Sequence, residues 1–253
     1  MRVLSLGWGV QSFTLAAMAA LGDIEPIAAA VHSDTTWERQ ATYKFAAMMT
    51  PWLEERGVRV ATVTSSDTGV INKTGSIALP LNTIIGNDYG RMSRHCTQDW
   101  KRAPLHRWLQ ANRDGAPVDL LLGISMDEWH RAKDSDAKYI THRFPLLDMK
   151  ITRGFCIAYL QEYKLPVPVK SSCVFCPYHN KDAWRNMKRE GGEDWQKAVQ
   201  VDEQIRNARP PYPLFVHSAR RPLPEAVRIP EDEGAVQLTM LDDTPCDSGY
   251  CFL

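Results

Sequence analysis

The chain has 253 residues, of which 44% are hydrophobic, and this composition fits a globular protein with one large core or one core and a small lobe. Its 30 basic residues balance 30 acidic ones, so overall charge recruits neither nucleic acid nor a membrane surface, and a polyanion site has to be a local patch. No apolar run reaches the roughly 18 residues that span a bilayer, and the N-terminus lacks a signal-peptide pattern. We therefore expect a cytoplasmic protein with no membrane contact.

The first quarter of the sequence alternates between apolar segments of strand length and helical segments. Short apolar runs rich in Val and Ile favour strands, whereas the Ala-, Leu- and Met-rich runs favour helices. This order predicts βαβ units and a parallel, Rossmann-like sheet flanked by helices, an α/β fold. The predicted elements are a strand over 2–6, a helix over 13–21, a strand over 24–34, a helix over 38–56 and a strand over 58–64.

The rest of the chain keeps this alternation only in part. Residues 65–92 are rich in Gly, Asn, Ser and Thr, and we predict a long loop near an active site. A helix over 98–112 and a strand over 118–125 restore the pattern. Beyond residue 165 the composition changes to Pro, Cys and aromatic residues, then to a charged helix over 181–207 and a Pro-rich tail. We predict a nucleotide-binding domain over 1–165 and a cysteine-containing helical extension over 166–253, packed on the first domain.

The turn between the first strand and the first helix has the sequence SLGWGVQS. In a parallel sheet, ligands bind at the carboxyl ends of the strands, and a glycine-containing turn that leads into a helix presents backbone N–H groups to an anion. Phosphate is the ligand that this arrangement suits. The spacing is also compatible with a simpler role, in which Gly7 and Gly9 only relieve a tight turn. A Walker A loop is excluded because no Gly-Lys-Ser/Thr follows.

This turn, followed by HSDTTWERQATYKF, resembles the start of PP-loop proteins and, among them, the phosphoadenosine phosphosulfate (PAPS) reductase family, which has an adenine nucleotide alpha hydrolase-like fold. The resemblance implies a phosphate or sulfate site at the first turn and an adenosine site near the end of the second strand. Two residues depart from the pattern. Gln11 stands where ATP-hydrolysing PP-loop enzymes usually have Asp, which favours sulfonucleotide reductases, and Thr36 replaces a glycine. The implied site residues are Ser5, Gly7, Gly9, Gln11 and Ser12, with Asp34 and Thr35 beside them.

Three later segments also resemble elements of this family, so that the resemblance covers most of residues 1–189. HCTQDWKRAPL implies that Lys101 faces the nucleotide. GISMDEWHRAKDS resembles the segment that supplies basic residues to the substrate anion, which implicates Gly123, Arg131 and Ser135. FPLLDMK resembles the Pro-Leu-x-x-Trp element, with Met149 in place of the Trp.

The cysteines give the clearest chemical signal. Cys173 and Cys176 form a C-x2-C turn followed by Pro, a spacing that directs two thiolates at one metal. The family resemblance implies that Cys96 is a third ligand of a 4Fe–4S cluster. Zn²⁺, with His95 or His179 completing a Cys3His site, and a redox dithiol are the alternatives.

The fourth cluster ligand stays open among several residues. Cys246 or Cys251 in the tail CDSGYCFL could supply it, as could Cys156, or one iron could stay open. Cys156 has apolar neighbours that favour a packing role. Sulfonucleotide reductases carry their nucleophilic cysteine on a C-terminal segment, which implies a catalytic role for Cys246 or Cys251, although the usual Glu-Cys-Gly-x-His context is missing.

Other conspicuous side chains are given ordinary roles. Trp184 and Trp195, with Met187 between them, lie at near-helical spacing and are expected to pack, with stacking on nucleic acid bases as the alternative. The arginine pair in HSARRPL is expected to be a solvated surface, with contact to a nucleic acid backbone as the alternative. His32 lies close to Asp34, near the expected nucleotide site.

Two enzymatic functions and one non-enzymatic function follow. In the favoured one, Lys101, Arg131 and the glycine turn neutralise the sulfate of PAPS or APS, a tail cysteine attacks sulfur, and a thioredoxin-like reductant restores the enzyme. In the second, ATP with Mg²⁺ adenylates a nucleobase or nucleic acid acceptor before sulfur is inserted. In the third, the chain is a nucleotide- and cluster-binding sensor or partner subunit. A homo-oligomer is compatible with all three.

Overall fold

The computed structural model describes residues 1–229, and residues 230–253, which include Cys246 and Cys251, lie outside the described part. The described strands are β1 (Arg2–Ser5), β2 (Ala29–Asp34), β3 (Val60–Thr64), β4 (Asn82–Ile85), β5 (Asp88–Arg91), β6 (Val118–Leu121), β7 (Ile140–Arg143) and β8 (Leu214–Phe215). The described α-helices are α1 (Val10–Leu21), α2 (Gln40–Glu54), α3 (Ala103–Asn112), α4 (Pro145–Asp148), α5 (Arg153–Glu162), α6 (Lys181–Glu190), α7 (Glu193–Ile205) and α8 (Leu223–Ala226).

The described chain forms two compact units. The first, which we call the sheet unit, comprises Met1–Ser66 and Thr97–Ser172. The second, which we call the cysteine unit, comprises Asp67–Cys96 and residues 173–229. Residues 67–96 thus fold with residues 173–229 and not with the sheet unit.

Five parallel strands of the described residues make the sheet of the sheet unit, in the order β3-β2-β1-β6-β7. Leu4 of β1 pairs with Ala30 on one side and with Leu121 on the other. This arrangement confirms the predicted α/β fold. The chain winds outward from β1 in one direction as far as β3 and then in the other from β6 to β7, so the strand order reverses between β1 and β6. In open parallel sheets, ligands bind at such a reversal, beside the carboxyl ends of the two strands.

Each face of this sheet has its own hydrophobic cluster, because neighbouring residues of a strand point to opposite sides. Leu4 and Leu121 face a core formed with side chains of α1, α2 and α5. Val3 and Leu120 face the other core, formed with Leu109 of α3 and its neighbours. The parallel sheet is thus covered on both faces, as such sheets require.

The cysteine unit contains an antiparallel sheet of the described strands in the order β5-β4-β8. Its helix α7 is fixed by Asp202, whose carboxylate is fully buried and accepts hydrogen bonds from the backbone nitrogens of Val216 (3.0 Å) and Leu223 (2.9 Å). Arg206, one turn further along α7, forms an ion pair with the same carboxylate. A buried carboxylate with these donors ties β8 and α8 to α7.

Several predicted elements differ from the observed ones. Residues 65–92 were expected to form a loop but contain the β4–β5 hairpin, which turns at Gly86 with φ 61°. The single helix expected over 181–207 is two helices, because Gly191 adopts φ 60° and ends α6. The second strand begins at Ala29, later than expected. Across residues 1–229, no helix has the length and apolarity to cross a membrane.

Candidate functional site

The turn that links β1 to α1 lies at the point where the strand order reverses. Gly9 is the N-cap of α1, with φ −90° and ψ 169°, and within the described residues no side chain caps the helix and no acidic residue lies in its first turn. The first backbone N–H groups of a helix have no partner within the helix, and together with the helix dipole they favour an anion. The start of α1 therefore has the electrostatic character that a phosphate or sulfate requires.

The turn is held in shape by Trp8 and Ser12. Trp8 has φ 55° and is 2% exposed, with its indole packed against the rings of Phe13 and Phe45 at centroid distances of 6.3 and 6.2 Å. The hydroxyl of Ser12 accepts a hydrogen bond from the Gly7 nitrogen and donates one to the Gly9 oxygen, each at 3.2 Å. A left-handed conformation at a bulky residue is uncommon, and the burial of the indole holds it in place.

Gly123, which follows β6, touches the same helical turn. A β-carbon at this position would stand 2.7 Å from the Ser12 nitrogen and 3.0 Å from the Gln11 carbonyl carbon. Only a glycine allows the two backbones to approach so closely. The structure thus brings together Gly123 and the predicted residues of the first turn, Gly7, Gly9, Gln11 and Ser12.

Gln11 connects this turn to charged residues from two other segments. Its side-chain oxygen accepts a hydrogen bond from Nη1 of Arg153 at 2.9 Å, and its Nε2 donates to Oε2 of Glu128 at 3.1 Å. The same Glu128 oxygen accepts from Nη1 of Arg131 at 2.7 Å. The Glu128 carboxylate therefore bridges Arg131, a predicted site residue, to Gln11 in the first turn of α1.

The Arg131–Glu128 pair is nearly buried, with side-chain exposures of 10% and 14%. Within the described residues, the Nε atom of Arg131 is buried and has no hydrogen-bond acceptor. A buried guanidinium N–H without an acceptor carries a desolvation cost of about 1–3 kcal/mol. An anionic ligand could relieve that cost by accepting from this atom.

The carboxyl end of β2 carries a second polar cluster. Oδ1 of Asp34 accepts hydrogen bonds from the Thr36 nitrogen at 2.7 Å and from the Tyr43 hydroxyl at 2.9 Å. Burial of the phenol, together with its hydrogen bond to Asp34, raises the pKa of Tyr43. Thr36 has φ 64°, so it adopts the left-handed conformation that the usual glycine of the family pattern would favour.

His32 lies in β2, just before this cluster. It is 6% exposed, and its Nδ1 lies 3.0 Å from the carbonyl oxygen of Leu6, so Nδ1 carries the proton of the neutral ring. Burial lowers the pKa of His32. This histidine is a neutral hydrogen-bond donor beneath the turn that begins at Leu6.

Lys101 is paired inside the sheet unit. Its Nζ lies 3.4 Å from Oε1 of Glu38, and the side chains are 14% and 1% exposed. The other carboxylate oxygen of Glu38 accepts from the Ser171 hydroxyl at 3.1 Å, and Ser33 Oγ donates to the Lys101 carbonyl at 2.9 Å. Lys101 thus lies beside β2, with Glu38 as its counter-ion, and its predicted role towards the nucleotide stays a prediction.

The remaining predicted site residues of the sheet unit are Ser5, Thr35 and Ser135, for which the structure gives burial and local contacts. Ser5 is the last residue of β1 and is 8% exposed. Thr35 is fully buried, and its hydroxyl accepts from the Trp37 nitrogen at 3.3 Å. The Ser135 hydroxyl accepts from the Ala137 nitrogen at 3.2 Å, in a turn that follows the 3₁₀ segment Met126–Arg131.

The C-x2-C turn lies in the cysteine unit. The Cys176 nitrogen donates to the Cys173 oxygen at 3.1 Å, and Val174 and Phe175 between them are fully buried. Both cysteine side chains are half-buried. The turn is anchored by its apolar middle residues, which leaves the thiols at its two ends near the surface.

Cys96 belongs to the same unit and is also half-buried. Three thiols, two of them in a C-x2-C turn, are donors of the kind that iron–sulfur clusters and zinc bind. Within residues 1–229, however, no three or more Cys, His, Asp or Glu side chains are gathered closely enough to hold a metal ion. The three thiols of the described residues thus have the chemistry of metal ligands, but they do not lie close enough together to share one metal ion. The alternative zinc ligand His179 places its Nε2 2.9 Å from the Cys173 carbonyl oxygen.

Arginines stack beside this cysteine turn. The guanidinium groups of Arg91 and Arg94 lie 5.1 and 5.5 Å from the ring centre of Tyr178, the second residue after Cys176. Arg94 is in turn the second residue before Cys96. The segments that carry the cysteines therefore also carry a cationic and aromatic layer.

Other cysteine and aromatic assignments can be compared directly with the structure. Cys156 is fully buried in the core on α5, and burial raises the pKa of its thiol to about 12, which confirms the packing role. Trp184 and Met187 are each 1% exposed, so their packing role is also confirmed, whereas Trp195 is only half-buried.

Sequence reasoning missed four residues of the site, Glu38, Tyr43, Glu128 and Arg153. Glu38 and Tyr43 lie inside the HSDTTWERQATYKF stretch, and Glu128 lies inside GISMDEWHRAKDS. Both motifs were identified, but no pattern within either one indicates which of its charged side chains is buried. No sequence pattern indicated Arg153, because its contact with Gln11 joins residues 142 positions apart and forms only in the folded protein.

A scan of the chain against models of protein families found no match, and a search of curated proteins also found none. Among solved structures, the chain is similar to the phosphoadenylyl-sulfate (PAPS) reductase from Candida auris, crystallised as a phosphate complex. The two chains are 11% identical with a TM-score of 0.44, and the similarity covers 66% of this chain and 74% of that one.

Proposed function

We propose that the chain binds an adenine nucleotide and performs sulfur chemistry on it, with the sulfate or phosphate at the start of α1. The observation that carries this proposal is the uncapped N-terminus of α1, which lies at the strand-order reversal with Gly123 against its first turn. The buried Nε of Arg131 adds a cationic donor that lacks an acceptor among residues 1–229. Asp34 and Thr35, at the end of the neighbouring strand β2, would face the adenosine.

The reaction we favour is sulfonucleotide reduction. A thiolate of Cys246 or Cys251 would attack the sulfur of PAPS or APS, the S–O bond to the nucleotide would break, and a cysteine S-sulfonate would form. A thioredoxin-like dithiol would then release sulfite and become a disulfide. The helix N-terminus and Arg131 would neutralise the sulfate, while Lys101 would contribute positive charge near the end of β2.

We further propose that Cys96, Cys173 and Cys176 bind a 4Fe–4S cluster, with Cys246 as the fourth ligand if Cys251 is the nucleophile. Such a cluster supplies a redox-active or sulfur-binding centre. Cys173→Ala should lose the brown colour of the anaerobically purified protein together with its iron and acid-labile sulfide, whereas Cys156→Ala should keep all three. Zinc in the wild-type protein instead of iron would contradict the cluster.

A second function, ATP-dependent thiolation of a nucleobase or nucleic acid, has its own supporting observation. The arginine–tyrosine layer of Arg91, Arg94 and Tyr178 flanks the cysteine turn, and such layers contact phosphates and stack on bases. In this reaction ATP, with Mg²⁺ on its phosphates, would adenylate the acceptor and release pyrophosphate before sulfur is inserted.

The reaction products decide between the two functions. With PAPS and a dithiol reductant, the first predicts release of sulfite and adenosine 3′,5′-bisphosphate. With ATP, Mg²⁺ and nucleic acid, the second predicts release of pyrophosphate, and release of AMP once a sulfide donor is added, because sulfur must displace AMP from the adenylated acceptor. If the protein binds nucleotide but releases neither pair of products, the remaining function is that of a sensor or partner subunit.

A further inference from the structure

The Glu128 carboxylate is paired with Arg131, the cationic side chain that an anionic ligand at this site would also contact. Its Oε2 accepts from Nη1 of Arg131 at 2.7 Å and from Nε2 of Gln11 at 3.1 Å. Gln11 lies in the first turn of α1, where the proposed phosphate or sulfate binds, and Arg131 is connected to this turn through the same carboxylate. A single oxygen of Glu128 therefore accepts hydrogen bonds from two donors, Nη1 of Arg131 and Nε2 of Gln11, that a ligand anion could otherwise use.

The backbone places Glu128 in this position at a break in its own helix. Glu128 has φ −124° and ψ 20°, outside helical values, within the 3₁₀ segment Met126–Arg131. The neighbouring Asp127 accepts from the Ser125 hydroxyl at 3.1 Å and from the Arg153 nitrogen at 2.5 Å, which fixes the segment against the start of α5. The kinked segment therefore holds Glu128 on the same side as Gln11.

Arg131 still has an N–H donor that could bind a second anion besides Glu128. Arg131 has five N–H donors, and its buried Nε has no acceptor within residues 1–229. Arg153 holds the oxygen end of the Gln11 amide at 2.9 Å, which turns the N–H end towards Glu128. A ligand anion that reaches these donors meets a carboxylate already present among them.

We propose that Glu128 is a specificity-determining counter-anion: it balances the charge of Arg131 and opposes the binding of ligands that carry negative charge at this site. This inference rests on the proposed nucleotide site and deepens it. The resident charge selects for ligands whose phosphate or sulfate binds strongly enough at the helix N-terminus to share or displace it. Uncharged nucleosides are not affected by it.

The predicted effect is a gain of affinity when the charge is removed. In Glu128→Gln the side chain keeps its length and an acceptor oxygen for Arg131, but the repulsion of a nearby anion is lost. We expect affinity for charged ligands to rise about tenfold, since like charges in a partly buried site repel strongly. A residue that served only to position Arg131 would give the opposite change, a loss.

Calorimetric titration of the full-length protein tests this, in EDTA, with inorganic sulfate, ADP and adenosine as probes. Glu128→Gln should bind sulfate and ADP about tenfold more tightly than wild type and adenosine equally well. Glu128→Asp, which keeps the charge, should resemble wild type. Glu128→Ser is the second uncharged variant, and the same gain is expected of it if Glu128→Gln does not fold.

Glu162→Gln is the matched control. It makes the same chemical change at an exposed position at the last residue of α5, about 14 Å along the helix from Arg153. Surface charges at that distance are screened at physiological salt, so its affinities should equal those of wild type.

The outcomes separate this inference from the proposed function. If wild type binds ADP and the two uncharged variants bind it equally or less tightly, Glu128 is not a counter-anion, while the nucleotide site stands. If a repeat of the ADP titrations with Mg²⁺ in place of EDTA shows tighter binding only when Glu128 is present, the residue is a metal ligand and the inference is wrong. If no protein binds sulfate or ADP, both the site and the inference fail.

Discussion

A β-carbon on Gly123 would stand 2.7 Å from the backbone nitrogen of Ser12, so the loop after β6 and the first turn of α1 meet backbone to backbone. This contact joins the two strands between which the sheet order reverses. It depends on the absence of a side chain and on nothing else at position 123, which makes it directly testable by substitution.

Gly123→Ala should destabilise the protein by about 1–3 kcal/mol, because the added methyl group meets backbone atoms that cannot rotate away. Urea unfolding followed by circular dichroism measures the change. Gly154→Ala is the control, since its β-carbon would have Thr152 Oγ1 at 3.8 Å as its nearest neighbour. Equal unfolding midpoints for Gly123→Ala and wild type would contradict the close approach.

Gly9→Thr should weaken nucleotide binding at least tenfold without a large loss of stability. Within the described residues, a β-carbon at Gly9 would have no atom within 4 Å, and the φ of −90° suits any residue. Threonine caps helices about as well as glycine, so α1 itself is not harmed. Its side chain would occupy the space in front of the first N–H groups.

Nucleotide titration and urea unfolding of the same Gly9→Thr sample separate these two effects. Unchanged affinity in a folded variant would show that no ligand approaches Gly9, and that this glycine only shapes the turn.

Lys101→Met should cost about 3–5 kcal/mol of folding stability, because it leaves the buried Glu38 carboxylate without its counter-ion. The double variant Lys101→Met/Glu38→Gln should recover much of this loss, since neither charge remains. Chemical denaturation of wild type, both single variants and the double variant gives the coupling energy. Additive single effects would show that the pair makes no specific contribution.

The pH dependence of stability follows from one buried histidine, His32, and two half-buried ones, His106 and His217. Burial lowers the pKa of His32, His106 and His217, so the unfolded chain takes up protons near pH 6.5 before the folded protein does. The free energy of unfolding should therefore be highest above pH 6.5 and should fall as the pH is lowered through that value. Each unit by which a folded pKa is lowered is worth up to about 1.4 kcal/mol.

Urea unfolding at pH 7.5 and 5.5 measures this loss, and His32→Asn isolates one contribution. The asparagine amide can still donate to the Leu6 carbonyl but does not titrate, so this variant should lose less stability on acidification than wild type. An equal loss in both proteins would mean that His32 is not protected from protonation.

The sequence was most informative where local pattern determines structure. Alternating strands and helices were enough to predict the parallel sheet, and the glycine turn was expected to lead into a helix, which begins at Val10 rather than at the predicted Phe13. The β4–β5 hairpin was missed although Gly86-Asn87 between two strand-like runs is a known hairpin signal, because the polar composition around it favoured a loop. The Gly191-Gly192 pair that separates α6 from α7 was overlooked in the same way.

The contacts of Glu128 and Glu38 could not have been derived from the sequence. Gln11 and Glu128 are 117 positions apart, and Glu38 and Lys101 are 63 apart. Each pair meets only because parallel strands bring their carboxyl ends to one edge of the sheet. A single sequence shows that charged residues follow these strands, but not which of them pair and which stay open to a ligand.

The most direct test of the nucleotide site is calorimetric titration of the full-length, anaerobically purified wild-type protein with PAPS, with ATP and with adenosine. Sulfonucleotide chemistry at the start of α1 predicts that PAPS binds more tightly than ATP, and that both bind more tightly than adenosine, because the phosphate and sulfate groups supply the affinity. No binding of either charged nucleotide, or equal affinity for PAPS and adenosine, would contradict an anion site at this helix.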